Sequence, residues 1–259
     1  MNLQDVKCFL LDMDGTIYLG GQLIEGSLSF IEKVRATGRD FLFLTNNSSH
    51  NANFYVEKLA RMGLTVDRSK VLTSGEATAD KLNELYPGKR AFVLGNEYLV
   101  EELKEAGIPI DQENPEIVVA GYDTTLDYKK MTAVCDFVRA GLPYIATHPD
   151  FNCPTETGFA PDLGAIMAFI EASANRRPDL IVGKPNPGIV EAALRRTGLR
   201  VDQLAMVGDR LYTDIETGRR SGMLSILVMS GETTEAMLAA SEIKPDLKFG
   251  RLADMNELL

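Results

Sequence analysis

A short buried strand that ends in two acids constrains the fold of this chain more than any other stretch. The apolar residues Cys8 to Leu11 are followed directly by Asp12 and, two positions later, by Asp14. A continuous apolar run of this length is typical of a strand covered on both faces, as in parallel sheets packed between helices. Side chains two positions apart on an extended segment project to the same side. The stretch therefore predicts an open α/β sheet with two carboxylates at its carboxyl edge, where such folds bind their ligands.

The same residues have a simpler interpretation, which is a strand that ends in a solvated turn. Asp and Gly are ordinary turn residues, and Gly15 follows the second acid. We favour a site because three further segments carry hydroxyl, amide, ammonium and carboxylate groups at predicted strand ends. These segments are residues 45–49, the loop around Lys184, and residues 209–214.

Net charge and cysteine usage limit the partners and the compartment. The 259 residues carry a formal charge of −10, so nucleic acids and anionic membranes, which would be repelled, are not expected as main partners. An anionic substrate would need a local cation. Cys8, Cys135 and Cys153 form no Cys-x-x-Cys pair, which favours a reducing compartment. Because no signal segment or membrane-length apolar stretch is found, we expect a cytoplasmic protein.

The predicted elements indicate a core interrupted by an insert. A hairpin turn at Gly20-Gly21 would form a flap over the two acids. After further strands and helices, the pattern starts again from about Asp80 to Pro178 as its own α/β unit, without a comparable cluster of acids. We therefore expect core segments at 1–79 and 179–259 and an inserted cap at 80–178.

The polar run Thr45-Asn46-Asn47-Ser48-Ser49 follows a second buried strand, Asp40 to Leu44. Asn and Ser are common in loops and at helix starts, and Ser49 could cap the helix that runs to Met62. At the end of a buried strand, however, a hydroxyl and an amide are neutral donors suited to phosphate oxygens. We favour a binding role for Thr45 and Asn46.

Two loops in the last third of the chain carry further charged groups. Lys184 follows the strand Leu180 to Val182 and lies in a proline-braced loop, although a lysine is more often a solvated charge. After the strand Leu204 to Val207, Asp209 and Asp214 flank a turn that opens a helix. Asp209 or Thr213 could instead be merely the helix cap.

Within the insert, the residues after a predicted strand lead into a long loop that continues to Asp162. His148, Asp150 and Glu156 in this loop could contact a substrate's leaving group, and a solvated surface loop is the alternative. The chain has only two histidines, and the second is not placed to complete a His-rich metal site.

Four segments, in the order DMDGT, TNNSS, VGKPNP and GDRLYTD, together resemble the haloacid dehalogenase superfamily of phosphotransferases. The α/β insert between the second and third is similar to that of its p-nitrophenyl phosphatase-like branch, which has a class II cap. The resemblance implies a Rossmann-like doubly wound parallel-sheet core with an inserted α/β cap domain. It also implies Mg²⁺-dependent hydrolysis of a small phosphorylated metabolite, such as a nucleotide or sugar phosphate, through an aspartyl phosphate.

The resemblance assigns the core residues as follows. Asp12 would be the nucleophile and Asp14 the general acid and base, while Asp12, the backbone carbonyl of Asp14, and Asp209 would bind Mg²⁺. Asp214 would support these ligands from behind. The phosphoryl group would be held by Thr45 and Lys184, with Asn46 nearby.

In the cap, the resemblance implies residues that select the substrate, here His148 and Asp150. Related sequences often have Asn where this chain has His148, so the substrate does not carry over from a relative. A homo-oligomer formed through the cap is a further expectation.

The charges of the acids argue for the metal independently of the resemblance. Asp12, Asp14, Asp209 and Asp214 brought together could not all stay ionised without a compensating cation, and Mg²⁺ prefers oxygen ligands. A receiver-type signalling protein also combines paired acids, a hydroxyl and a lysine, but it needs no cap. A phosphomutase of the same superfamily is the nearer alternative.

Overall fold

The structure is a computed structural model that describes residues 2–155 and 158–259. The chain forms two compact units. The first contains the segments up to Thr45, Tyr55–Leu72 and Val190–Leu259, and the second contains Asn46–Phe54 and Thr73–Ile189. These limits differ from the predicted domain ranges 1–79, 80–178 and 179–259, which stay a prediction. No helix in the described part of the chain is long and apolar enough to cross a membrane.

Strands and helices alternate along most of the chain. The strands are β1 (Cys8–Leu11), β2 (Tyr18–Leu19), β3 (Gln22–Leu23), β4 (Asp40–Thr45), β5 (Val71–Thr73), β6 (Ala91–Leu94), β7 (Ile117–Ala120), β8 (Tyr144–Ala146), β9 (Asn152–Thr155), β10 (Gly158–Pro161), β11 (Leu180–Ile181), β12 (Leu204–Gly208), β13 (Leu224–Val228) and β14 (Leu247–Phe249). The α-helices are α1 (Ser27–Ala36), α2 (Ala52–Arg61), α3 (Ser74–Leu85), α4 (Glu97–Glu105), α5 (Tyr128–Arg139), α6 (Leu163–Ala174), α7 (Pro187–Thr197), α8 (Glu216–Ser221) and α9 (Glu235–Ala240).

The main sheet of the first unit has the order β14-β13-β12-β1-β4-β5. Strand β1 pairs in parallel with β4 on one side and β12 on the other, and all four of its residues are buried. The strand order therefore runs outward in both directions from β1, which confirms the predicted doubly wound α/β fold. Leu11 is in register with Val207, so the acids after β1 and β12 emerge side by side where the strand order reverses. This switch point is the ligand-binding edge of such sheets.

The second unit has its own parallel sheet, with the order β11-β8-β7-β6. Its apolar core joins side chains of β6, β7 and β8 to those of α5 and α6. Strand β11 pairs with β8, with Leu180 opposite Ile145, whereas the sequence pattern predicted that this strand resumes the core. A strand of two half-buried residues has too little apolar pattern to indicate which sheet it joins.

The predicted long loop before Asp162 contains an antiparallel hairpin of β9 and β10, with Asn152 opposite Pro161. The prediction missed it because each strand contains a proline and most of its residues are exposed, so the alternation typical of strands is absent. Glu156, which we considered as a substrate contact, lies outside the described residues.

Two helical segments, α2 and the one that follows Arg210, begin differently from the predictions. Helix α2 is capped by Asn51, whose Oδ1 accepts the Phe54 N–H at 3.0 Å, whereas Ser49 donates to Asn47. The chain after Arg210 begins with a π-turn, Leu211–Ile215, that no side chain caps among the described residues. The hairpin at Gly20-Gly21 is present as predicted, formed by β2 and β3.

Candidate active site

The segment after β1 turns sharply and brings its backbone against the neighbouring strand end. The Asp12 N–H donates to the Val207 carbonyl at 2.9 Å, which continues the β1–β12 pairing by one residue. Gly15 has φ +80°, and its carbonyl accepts a hydrogen bond from Ser230 Oγ at 2.7 Å. A Cβ at this position would lie 2.5 Å from Asp209 Oδ2. Glycine is therefore required both for the backbone conformation and for the close approach to Asp209.

Three carboxylates come together at this edge. One oxygen from each of Asp12, Asp209 and Asp214 lies within 4.8 Å of the others. Asp209 is 2% exposed and Asp214 is fully buried. Asp214 Oδ2 accepts the Arg210 N–H at 3.1 Å, which fixes the orientation of this carboxylate.

Only one of the two side-chain oxygens of Asp209 accepts a hydrogen bond from the described residues. Its Oδ2 accepts the Glu232 N–H at 2.6 Å, but its buried Oδ1 has no hydrogen-bond partner among the described residues. A buried carboxylate oxygen without a partner is costly, and a cluster of three acids adds repulsion. The donor set and the orphaned oxygen fit a hard divalent cation such as Mg²⁺, which takes oxygen ligands.

Burial raises the pKa of two carboxyl groups in this region, those of Asp209 and Asp14. Desolvation, followed by the neighbouring Asp214, raises the pKa of Asp209 to about 7. Desolvation also raises the pKa of Asp14, while the positive charges of Lys58 and Arg210 oppose this shift. A carboxyl group with a raised pKa is suited to donating a proton near neutral pH.

The second unit contains the other group of predicted residues. Asn46 is 5% exposed and Lys184 is 2% exposed. The Lys184 N–H donates to Asn46 Oδ1 at 2.8 Å, and Asn46 Nδ2 donates to the Lys184 carbonyl at 2.9 Å and to Asp150 Oδ1 at 3.1 Å. Thr45, the residue before Asn46, belongs to the first unit, where it ends β4, and is 8% exposed.

His148 is fully buried and both of its ring nitrogens have partners. Nδ1 lies 2.9 Å from Thr147 Oγ1, and Nε2 lies 2.9 Å from Asp162 Oδ1. The structure gives this histidine no exposed surface with which to contact a substrate. Asp150, which is half-buried, is better placed for that role.

A haloacid dehalogenase-like hydrolase family model matches residues 9–109, and a second HAD-hydrolase-like model matches residues 181–255. An acid sugar phosphatase of Staphylococcus aureus (strain MRSA252) is 36% identical over 258 residues, which are 99% of this chain and 98% of that protein. The chain belongs to the haloacid dehalogenase-like hydrolases. It is therefore an enzyme of the phosphatase class, and the resemblance inferred from the four motifs is confirmed.

Solved structures of other haloacid dehalogenase-like hydrolases have the same fold. The crystal structure of 4-nitrophenylphosphatase from Thermotoga maritima is 47% identical, covers 98% of each chain and has a TM-score of 0.96. The structure of glycerol phosphate phosphatase from Mycobacterium tuberculosis, in complex with calcium, is 30% identical and has a TM-score of 0.91. That match covers 99% of this chain and 77% of the other.

The sequence analysis did not identify two cations of this haloacid dehalogenase-like hydrolase, Arg210 and Lys58. Arg210 Nε lies 3.0 Å from Glu232 Oε2, and the negative charge of Asp12 acts on the same guanidinium. Lys58 Nζ lies 4.0 Å from the centre of the Tyr18 ring in the flap hairpin. Arg210 could have been noticed as a cation directly after Asp209, but nothing in one sequence marks Lys58 among the charged residues of α2.

Proposed function

We propose that this protein is a Mg²⁺-dependent phosphomonoester hydrolase that acts on small phosphorylated metabolites through an aspartyl phosphate. The observation that carries the proposal is the buried cluster of Asp12, Asp209 and Asp214, in which Asp209 keeps an oxygen without a protein donor. Such a cluster at the switch point of a doubly wound sheet has the chemistry of a metal-assisted phosphoryl-transfer site.

The two acids of the opening motif divide the reaction between them. A carboxylate oxygen of Asp12 attacks phosphorus in line, so that a new O–P bond forms while the bond to the ester oxygen breaks. Asp14 gives its proton to the leaving oxygen, then takes a proton from the water that attacks the aspartyl phosphate. The raised pKa of Asp14 supports this role, because the carboxyl must be protonated when the ester bond breaks.

When bound, Mg²⁺ supplies positive charge that neutralises the acids and the phosphoryl oxygens. Asp12, the backbone carbonyl of Asp14, and Asp209 would hold it. Asp214 would orient the site from behind, which its hydrogen bond from Arg210 supports. The calcium complex of the glycerol phosphate phosphatase is consistent with an oxygen-rich divalent site in this family.

Thr45 and Lys184 would hold the phosphoryl group, with Asn46 nearby. A hydroxyl donor and a buried ammonium suit phosphate oxygens, and the backbone of Lys184 is hydrogen-bonded to the residue that follows Thr45. In the cap, Asp150 would accept hydrogen bonds from the leaving group, with His148 acting behind it. We therefore expect hydroxyl-rich esters, such as sugar phosphates, to be better substrates than nucleotides.

The location and assembly of the protein form part of the same proposal. None of the three cysteines forms a disulfide among the described residues, which supports a reducing, cytoplasmic environment. Phe151 and Phe159 at the β9–β10 hairpin are 62% and 71% exposed, and they support a homo-oligomer formed through the cap.

A phosphate-release screen of phosphomonoesters with Mg²⁺ tests the proposed function. We expect sugar phosphates and p-nitrophenyl phosphate to be hydrolysed, and Asp209→Asn or excess EDTA to abolish the activity. Unchanged turnover in excess EDTA would contradict the metal requirement. Transfer of the phosphoryl group to a second hydroxyl, without release of phosphate, would identify a phosphomutase instead.

A further inference from the structure

The side-chain amide of Asn46 uses its hydrogen-bonding groups on two distant parts of the chain. Its oxygen accepts the Lys184 N–H at 2.8 Å, and its nitrogen donates to the Lys184 carbonyl at 2.9 Å and to the Asp150 carboxylate at 3.1 Å. An amide NH₂ has two hydrogens, so both donors of Asn46 are occupied by protein acceptors. A phosphate oxygen could be bound by this nitrogen only if one of these bonds were broken.

The orientation of the amide is fixed by its partners. If the oxygen and nitrogen were exchanged, the amide oxygen would face a carbonyl and a carboxylate, and the NH₂ would face an N–H group. The backbone of Asn46 is also held, because Ser74 Oγ donates to its carbonyl at 2.5 Å. Asn46 is therefore a rigid support for whatever it contacts.

The loop before Lys184 packs tightly against this amide. A Cβ at Gly183 would lie 2.6 Å from Asn46 Oδ1 and 2.7 Å from the Thr147 carbonyl. Only a glycine at this position lets the backbone come close enough for the pair of bonds between Asn46 and Lys184.

We propose that Asn46 is a positioning residue, which holds the backbone of Lys184 and the carboxylate of Asp150 together, and that its side chain is not a phosphate ligand. This inference rests on the proposed function, in which Lys184 binds the phosphoryl group and Asp150 meets the leaving group. One amide then sets the spacing between the group that holds the phosphate and the group that selects the substrate. In this proposal Asn46 acts on the phosphoryl group through Lys184 and not by direct contact.

An exchange of amide and carboxylate tests the contact. Asn46→Asp places a second carboxylate against the Asp150 carboxylate and the Lys184 carbonyl, and we expect kcat to fall about 100-fold because the ammonium is displaced. Adding Asp150→Asn returns a donor opposite the new carboxylate. Both variants are assayed with p-nitrophenyl phosphate, whose leaving group has no further hydroxyl for Asp150 to accept from. We expect the double variant to recover at least about tenfold in kcat over Asn46→Asp, as restored alignment allows. A double variant no more active than Asn46→Asp would overturn the proposal.

The control is Asn47→Asp, which makes the same chemical change one residue later. Asn47 donates to Cys153 Sγ at 3.9 Å and accepts from Ser49. Asp150→Asn should not rescue this variant. A similar rescue would mean that the exchange acts through net charge and would overturn the proposal.

A second cycle separates positioning from direct phosphate binding. We expect Asn46→Ala to lower kcat strongly when Lys184 is present and to have little further effect in Lys184→Ala. Equal fold losses in both backgrounds would show that Asn46 acts independently of the lysine and would overturn the proposal.

Urea unfolding of the exchange variants gives a readout that does not depend on activity. Asn46→Asp should lower the midpoint, and adding Asp150→Asn should raise it again. If the wild type hydrolyses no phosphomonoester, the proposed function fails, while this stability cycle still tests the contact. Independent effects of the two substitutions on stability would overturn it.

Discussion

Removal of the metal should make this protein less stable as the pH rises, because Asp209 is buried beside other acids. The ordinary carboxyl pKa of 3.8 is raised in the folded protein to about 7. Between these values the folded state keeps a proton that the unfolded state has lost. The contribution of Asp209 to the stability of the metal-free protein therefore falls with increasing pH throughout this window and levels off above it.

The size of the effect follows from the pKa difference. Each pH unit within the window costs about 1.4 kcal/mol, so full ionisation of Asp209 costs about 4 kcal/mol. Between pH 5 and pH 8 the slope acts over about two units, which gives a loss of about 3 kcal/mol. A bound divalent cation stabilises the ionised form and should remove this loss.

Urea unfolding at pH 5 and pH 8, in EDTA and in saturating Mg²⁺, measures the effect. Asp209→Asn is the matched variant, because it keeps the shape of the side chain and removes its titration. In EDTA we expect the stability of the variant relative to the wild type to grow by about 3 kcal/mol from pH 5 to pH 8. In saturating Mg²⁺ we expect the wild type to show no such loss of stability between pH 5 and pH 8. Parallel pH curves for the two proteins in EDTA would refute the reasoning.

Three further predictions concern individual residues. Lys184→Ala should lower kcat by about 10² to 10³-fold with a small change in melting temperature, and the reverse pattern would favour a structural lysine. Asp12→Asn should abolish turnover of every ester. Asp14→Asn should still release a burst of nitrophenol from p-nitrophenyl phosphate but should stall on alkyl phosphates. Equal losses of activity on these two substrate classes would show that Asp14 is not the general acid and base. Gly15→Ala should weaken Mg²⁺ binding in calorimetry, whereas Gly20→Ala, with φ +60° and open space around it, should not.

The parts of the fold that depend on local pattern could be predicted from the sequence. Cys8 to Leu11 form a buried strand because both faces of a central parallel strand are covered, and the acids follow it directly. Pro187 begins α7, where its missing N–H costs nothing. The Asp12, Asp209 and Asp214 cluster was foreseen because strand ends of a doubly wound sheet meet at one edge.

The features that depend on distant partners were missed. The hydrogen bonds of Asn46 join it to residues 104 and 138 positions away, and no short motif indicates which of its groups are used internally. His148 likewise looked like a loop residue, yet it is fully buried, and its Nε2 lies 2.9 Å from Asp162 Oδ1. Strand β11 and the β9–β10 hairpin depend on pairing rather than on their own apolar pattern.

The most direct measurement of the central claim is to trap the reaction on Asp12. The wild type is mixed with p-nitrophenyl phosphate and Mg²⁺, quenched in acid, reduced with borohydride, and mapped by mass spectrometry of its peptides. An aspartyl phosphate is reduced to an alcohol, so we predict that Asp12 is converted to homoserine and that no other acid is changed. Rapid phosphate release with Asp12 unmodified, or reduction at a different acid, would contradict the assignment of Asp12 as the nucleophile.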